Sequence, residues 1–198
     1  MTSADLRRLR HGEMERLTRL LGRAFENDPL FRYLFRSRPH AGQAMRLLFR
    51  AQSRDALRHG SIEVLASDRE LLAAALWLPP GTGAPTAPRR ILAALPAYLA
   101  VGLLFPDRLL DFLRLARAAP PRSLPPFWYL EYLAVDPAWQ GRGLGRRLLD
   151  RGIERAEEAG LACGLATSTE RALRLYERVG FEVASEARPF AAGPPVWY

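Results

Sequence analysis

Hydrophobic residues recur along this chain with two different spacings, and the spacings predict an order of elements. Over residues 13–26, Met14, Leu17, Leu20, Leu21 and Phe25 fall near one face of a helix. A shorter helical piece follows Pro29, and a longer one covers about 41–58. Ser61–Ala66 and Leu71–Leu78 read as strands, with a turn at Asp68 and Arg69 that makes a hairpin. The Pro/Gly-rich run 79–88 reads as a loop inside one domain, since too little chain lies on either side for two cores. Two Leu/Ala-rich helical segments follow at about 89–103 and 107–118, and 120–126 brings the chain back to the sheet. Phe127–Val135 reads as the central strand. Residues 143–159 read as a helix with Leu144, Leu148, Leu149, Ile153 and Ala156 inward, followed by strands at about 162–167, 181–187 and 190–197. There is no internal repeat.

The junction at 133–149 is the most informative segment. An apolar strand end (Leu133, Ala134, Val135) meets a turn at Asp136 and Pro137, then the loop Gln140-Gly141-Arg142-Gly143-Leu144-Gly145 runs into a helix. Glycines let the backbone turn tightly and approach a ligand closely. The first amides of a helix have no internal partner and carry the positive end of its dipole, so phosphate is a natural guest. No Lys-Ser/Thr pair follows the glycines, so this is not a P-loop. Their spacing is also wrong for a dinucleotide fingerprint.

A second segment, 165–181, reads as a strand end, a short helix and Tyr-Glu-x-x-Gly-Phe. Thr169 is a fitting N-cap, and Gly180 a fitting residue to stop the helix.

Together these segments resemble the GNAT family of N-acetyltransferases. That family's acetyl-CoA motif, Q/R-x-x-G-x-G/A after a strand, corresponds here to Gln140, Gly143 and Gly145. The likeness extends to puromycin N-acetyltransferase and its relatives. It is carried by Ala24-Phe25 with Asp28-Pro29, by Trp77-Leu78-Pro79-Pro80, by the 88–119 insert and by Phe127-Trp128-Tyr129-Leu130. The resemblance implies a single α/β domain over 1–198. Its central sheet would be mixed but mostly antiparallel and flanked by helices, with a helical insert at about 88–119 before the central strand. It also implies acetyl-CoA as cofactor. Leu133, Ala134 and Val135 would hold the pantetheine, and the amides from Gly141 to Arg146, through Arg142, Gly143, Leu144 and Gly145, the pyrophosphate. Arg142 and Arg146 could add charge-assisted contacts, or could be ordinary solvated charges.

In the family the tyrosine at the position of Tyr176 reaches the CoA sulfur and can protonate the leaving thiolate; the alternative is a core aromatic. Glu131 is the candidate base. Strand alternation puts it on one face with Leu133 and Val135, and a lone carboxylate in Trp-Tyr-Leu-Glu-Tyr-Leu-Ala-Val is costly to bury without a role or partner. Its alternative is an ion pair at the sheet surface, with the base then being water or absent. Phe25, Trp77, Phe127, Tyr129 and Tyr198 could line an aromatic acceptor pocket with the 89–118 helices as a lid, or could be core.

Charge and composition then narrow the classes. The net charge is +8, and all 29 basic residues are arginine. The arginines are scattered and no nucleic-acid module is legible, so no nucleic-acid partner is expected. Cys163 is alone, which excludes an internal disulfide, and sits in a small apolar strand that suits a buried thiol. His11, His40 and His59 lack metal-ligand spacing, so no metal is expected. The charged N-terminus does not read as a signal peptide. The most apolar stretch, 91–105, is broken by Pro96 and falls short of the ~20 residues a membrane span needs. The expectation is a cytoplasmic monomer or homodimer that acetylates a small-molecule amine. A non-catalytic acyl-CoA-binding sensor or partner subunit is the alternative from another class.

Overall fold

The computed structural model describes residues 4–35, 39–68, 70–82, 88–117 and 126–198. The elements run β1 (Asp5–Arg8), α1 (Met14–Phe25), α2 (Pro29–Phe35), α3 (Ala41–His59), β2 (Ser61–Ala66), β3 (Leu71–Leu78), α4 (Pro88–Leu104) and α5 (Leu109–Arg117). Then come β4 (Phe127–Val135), α6 (Leu144–Glu158), β5 (Ala162–Leu165), α7 (Glu170–Glu177), β6 (Glu186–Ala187) and β7 (Val196–Trp197). Five strands form one sheet in the order β1-β2-β3-β4-β5. All neighbours are antiparallel except β4 and β5. This is a single-domain α/β fold with helices on both faces of the sheet.

Two apolar layers sandwich the sheet. β3, Leu-Leu-Ala-Ala-Ala-Leu-Trp-Leu, is buried along its whole length, and its alternation splits it between the layers. Ala74, Leu76 and Leu78 pack with Leu17, Leu20 and Leu21 of α1 and Phe49 of α3. Ala73, Ala75 and Trp77 pack with Leu144, Leu148 and Leu149 of α6 and with Tyr176 of α7. In α4, Ala94, Ala97 and Val101 face the core, while Leu92, Leu99 and Leu103 stand exposed on the other side.

The structure departs from the sequence expectations at three places, one of them a separate two-stranded sheet of β6 and β7. β1 has only one apolar residue, Leu6, and gives no strand signal; it forms because the edge of β2 offers it a ladder from Asp5↔Ala66 to Arg8↔Glu63. The expected strands at 181–187 and 190–197 shrink to the pairs Glu186–Ala187 and Val196–Trp197. Pro189, Pro194 and Pro195 remove ladder donors there. The strand expected over 162–167 ends at Leu165, with only an isolated bridge from Thr167 to Trp197 beyond it. The expected turn residue Arg69 and the return segment's residues 120–125 lie outside the described residues.

Candidate active site

β4 contains an irregularity that shapes the site. Its pairing with β3 steps from Leu76↔Tyr132 to Trp77↔Leu130, so Glu131 is an extra residue at a bulge. Leu130, Leu133 and Val135 therefore pack in the α6 layer, and Tyr129, Tyr132 and Ala134 in the α1–α3 layer. The bulge interrupts the strict alternation from which the sequence reading placed Glu131 on one face with Leu133 and Val135. Glu131 itself is half-buried.

The bulge coincides with the end of the next ladder. β5 pairs with β4 only from Phe127↔Ala162 to Leu130↔Leu165. Among the described residues, no strand pairs with 131–135 on the β5 side. Where a strand ladder stops, an extended ligand carrying amides can add to the remaining edge as a strand would.

The edge leads directly into the glycine loop. Asp136 is buried and closes the strand end in three ways: its N–H donates to Leu72 O at 2.8 Å, its side chain caps Ala138 N–H, and it pairs with Arg23 of α1 at 2.6 Å. Gln140 Nε2 donates to Val135 O at 3.3 Å. Gly141 and Gly143 have φ of 76° and 75°, conformations that other residues adopt only with strain. Gly143 is the N-cap of α6 and has no side chain to bond the first amides, so they point outward. Gly145 is buried, and a β-carbon there would already touch Val135 Cγ2 at 3.4 Å, so the helix start lies against the strand end.

Arg142 stacks its guanidinium over Trp139 at 4.6 Å, and Arg146 pairs with Asp150. Both side chains are exposed and beside the loop. The glycine loop and the part of β4 beyond its ladder with β5 thus run end to end. This fits CoA, which has a pyrophosphate followed by an amide-bearing pantetheine arm.

Tyr176 comes from α7, which Thr169 caps by accepting from Ala172 N at 3.3 Å. Gly180, at φ 97°, ends the turn after it. The Tyr176 ring packs edge-on against Phe181 with centroids 5.8 Å apart and is buried. Burial first, and the negative charge of Asp28 second, hold its phenol pKa far above the ordinary value. It therefore carries its proton at neutral pH, the form a proton donor needs.

A cavity of about 170 Å³ adjoins Tyr176 and is lined also by Phe127, Tyr129, Leu165, Phe181 and Tyr198. Burial pushes the Tyr198 phenol to about 12 and the Cys163 thiol, also on this wall, to about 11. Three of the five expected pocket aromatics therefore meet here. Trp77 does not: it is fully buried in the α6 layer, its ring against Gly152. Phe25 packs instead among Phe31, Phe49 and Tyr132. Among the described residues, none from α4 or α5 lines the cavity.

The sequence reading did not bring Asp28 and Ser168 together. Asp28 Oδ1 caps α2, accepting from Leu30 N at 2.9 Å and Phe31 N at 3.1 Å, and Ser168 Oγ approaches it at 3.5 Å. Asp before Pro signals a cap and nothing more. No local pattern joins it to Tyr176 at the far end of the chain.

A model of the acetyltransferase (GNAT) family matches residues 73–181, more than half of the chain. The chain belongs to this family. The match runs from β3 through the bulge, the glycine loop and α7, which are the elements that build the site. The chain is 44% identical over 59 residues to the N-alpha-acetyltransferase RimI of Mycobacterium tuberculosis, covering 29% of this chain and 37% of that protein. It is 39% identical over 66 residues to a mycothiol acetyltransferase of Propionibacterium freudenreichii, covering 32% and 21%. The matched part is thus well under half the length of these curated relatives. A crystal structure of a histone acetyltransferase HPA2 and related acetyltransferase from Corynebacterium glutamicum superposes with a TM-score of 0.67 at 26% identity, covering 98% of this chain and 95% of that one. GNAT enzymes use acetyl-CoA as acyl donor. Among the described residues no helix is long and apolar enough to cross a membrane, and no His/Cys/Asp/Glu group could hold a metal.

Proposed function

We propose that the protein transfers the acetyl group of acetyl-CoA to a primary amine of a small molecule by direct attack. The observation that carries this reading is the end of the β4–β5 ladder at Leu130↔Leu165, beside a bulge, with the strand running on to the glycine-capped start of α6. When bound, acetyl-CoA supplies an activated thioester. The amides of residues 141–146 and the guanidinium of Arg142 or Arg146 hold the pyrophosphate. The backbone of Leu133, Ala134 and Val135 holds the pantetheine and aims the thioester at the bulge. Tyr176 gives its phenolic proton to the departing sulfur. Glu131, at the bulge, takes the proton that the acceptor nitrogen must lose, directly or through water.

The acceptor's apolar body occupies the cavity walled by Phe127, Tyr129 and Tyr198, which adjoins Tyr176. The reaction belongs in the cytoplasm, where CoA thioesters are available. The likeness to puromycin N-acetyltransferase-like members makes aminonucleosides natural acceptors to try. The test is release of free CoA from acetyl-CoA in a screen of amines: puromycin, tyramine, spermidine and a peptide with a free N-terminus. Release with a small amine and not with the peptide is expected. Release only with the peptide overturns the small-molecule assignment, and tight acetyl-CoA binding without release would identify a sensor.

A further inference from the structure

The buried carboxylates of this arginine-rich chain meet cations from within the protein. Glu13 pairs with Arg7, Glu63 with Arg155, Asp111 with Arg108, Asp136 with Arg23, and Asp55 lies by His59. Asp28, which is half-buried, does not follow this pattern. Among the described residues it has no cationic partner, although burial is strong enough to raise its carboxyl pKa against three hydrogen-bond donors. All three donors, Leu30 N, Phe31 N and Ser168 Oγ, meet the same oxygen, Oδ1. The other oxygen, Oδ2, is fixed in orientation by them and has no donor among the described residues. Oδ2 is thus the oxygen left to accept from a group outside the protein, and a cation brings a donor together with the opposite charge.

The position of Asp28 narrows what that cation is. Its charge is felt by the Tyr176 phenol, and Ser168 follows directly on Thr167, which lines the cavity. Resting on the acetyl-transfer reading, we propose that Asp28 receives the ammonium group of the acceptor amine on Oδ2, with Ser168 steadying the carboxylate. The acceptor nitrogen has to reach the carbonyl carbon bonded to the sulfur that Tyr176 protonates, and Ser168 ties the Asp28 carboxylate to the turn that leads into α7, which carries Tyr176. An alkylammonium brings both the missing charge and the missing donors. A neutral alcohol of the same shape brings one weak donor and no charge, so Asp28 acts as a selector for charged amines.

Calorimetry with CoA present tests this, using tyramine and its alcohol isostere tyrosol as probes. Wild-type protein is expected to prefer tyramine by about tenfold or more, the range of a charge-assisted hydrogen bond. Asp28→Asn keeps an oxygen to cap α2 and removes only the charge. It should erase most of that preference while leaving CoA affinity unchanged, whereas a purely structural role would not alter the amine-over-alcohol ratio. If the Asn variant does not fold, Asp28→Ser, another good cap, carries the same test. Retention of the preference in the variant overturns the proposal, as does a wild type that binds the two alike or neither. Free CoA measured in parallel separates the two readings: no release with any amine counts against acetyl transfer, while the binding ratio decides Asp28.

Discussion

The indole of Trp77 occupies the place where a β-carbon of residue 152 would sit: built on Gly152, that atom falls 2.2 Å from the ring. Trp77 in turn pairs with Leu130, on the flank of the β4 bulge. The missing side chain on α6 therefore lets the helix seat on the sheet where the site opens. We expect Gly152→Ala to destabilise the protein by about 1–3 kcal/mol, the usual cost of overpacking. Chemical denaturation of the two proteins measures it, and equal midpoints would show that α6 shifts freely.

Gly143 has φ of 75°, and a β-carbon there would meet no protein atom within 4 Å. Its substitution thus costs conformation and ligand space without a clash in the free protein. Gly143→Val should weaken acetyl-CoA binding by about tenfold or more, given the ~1–2 kcal/mol cost of a left-handed non-glycine residue and the lost approach to phosphate. Calorimetry with acetyl-CoA reads this directly, and unchanged affinity would remove the loop from the binding site.

Tyr176→Phe deletes one hydroxyl from a buried ring and leaves its packing on Phe181 in place. Turnover should fall on the order of 10²-fold, as for loss of one proton-transfer group, with acetyl-CoA affinity nearly intact. A variant as fast as wild type would return Tyr176 to a packing role.

Glu131→Gln keeps shape and removes charge at the bulge. If Glu131 accepts the amine's proton, the rate should drop near neutral pH and recover at high pH, where the amine arrives already neutral. The pH–rate profiles of the two proteins, with one good acceptor, decide this. Parallel profiles would make Glu131 structural.

Acid should loosen the attachment of β1 to α1. Hydrogen bonds from the Arg7 guanidinium at 2.8 Å, opposed by burial and helped by Arg10 N–H, hold the Glu13 carboxyl at about 2 against an ordinary 4.5. Because the folded value is depressed, this stabilisation is full above 4.5 and is lost as pH falls toward about 2. Glu13→Gln should thus be less stable than wild type at neutral pH, with the gap closing across that window. Denaturation midpoints measured through the window would refute this if the gap stayed constant.

What the sequence alone determined is local. Gly141, Gly143 and Gly180 mark positive-φ positions because only glycine takes them cheaply, and Thr169 marks a helix start because its hydroxyl bonds an amide three residues on. The helical spacing of Leu17, Leu20 and Leu21 set which face of α1 is buried. These signals made the loop, α6 and α7 legible along with most of the sheet. The bulge at Glu131 was silent, because Phe-Trp-Tyr-Leu-Glu-Tyr-Leu-Ala-Val is apolar in both registers and alternation cannot reveal an inserted residue. β1 was silent because its ladder depends on the edge of β2 and not on its own side chains. Whether an aromatic lines the cavity, as Phe127 and Tyr198 do, or is core, as Trp77 is, was decided by which helix packs over it. The meeting of Asp28, Ser168 and Tyr176 likewise belongs to the tertiary structure. It brings the start of α2 against the strand-to-helix turn before α7, and no local rule of spacing spans that distance.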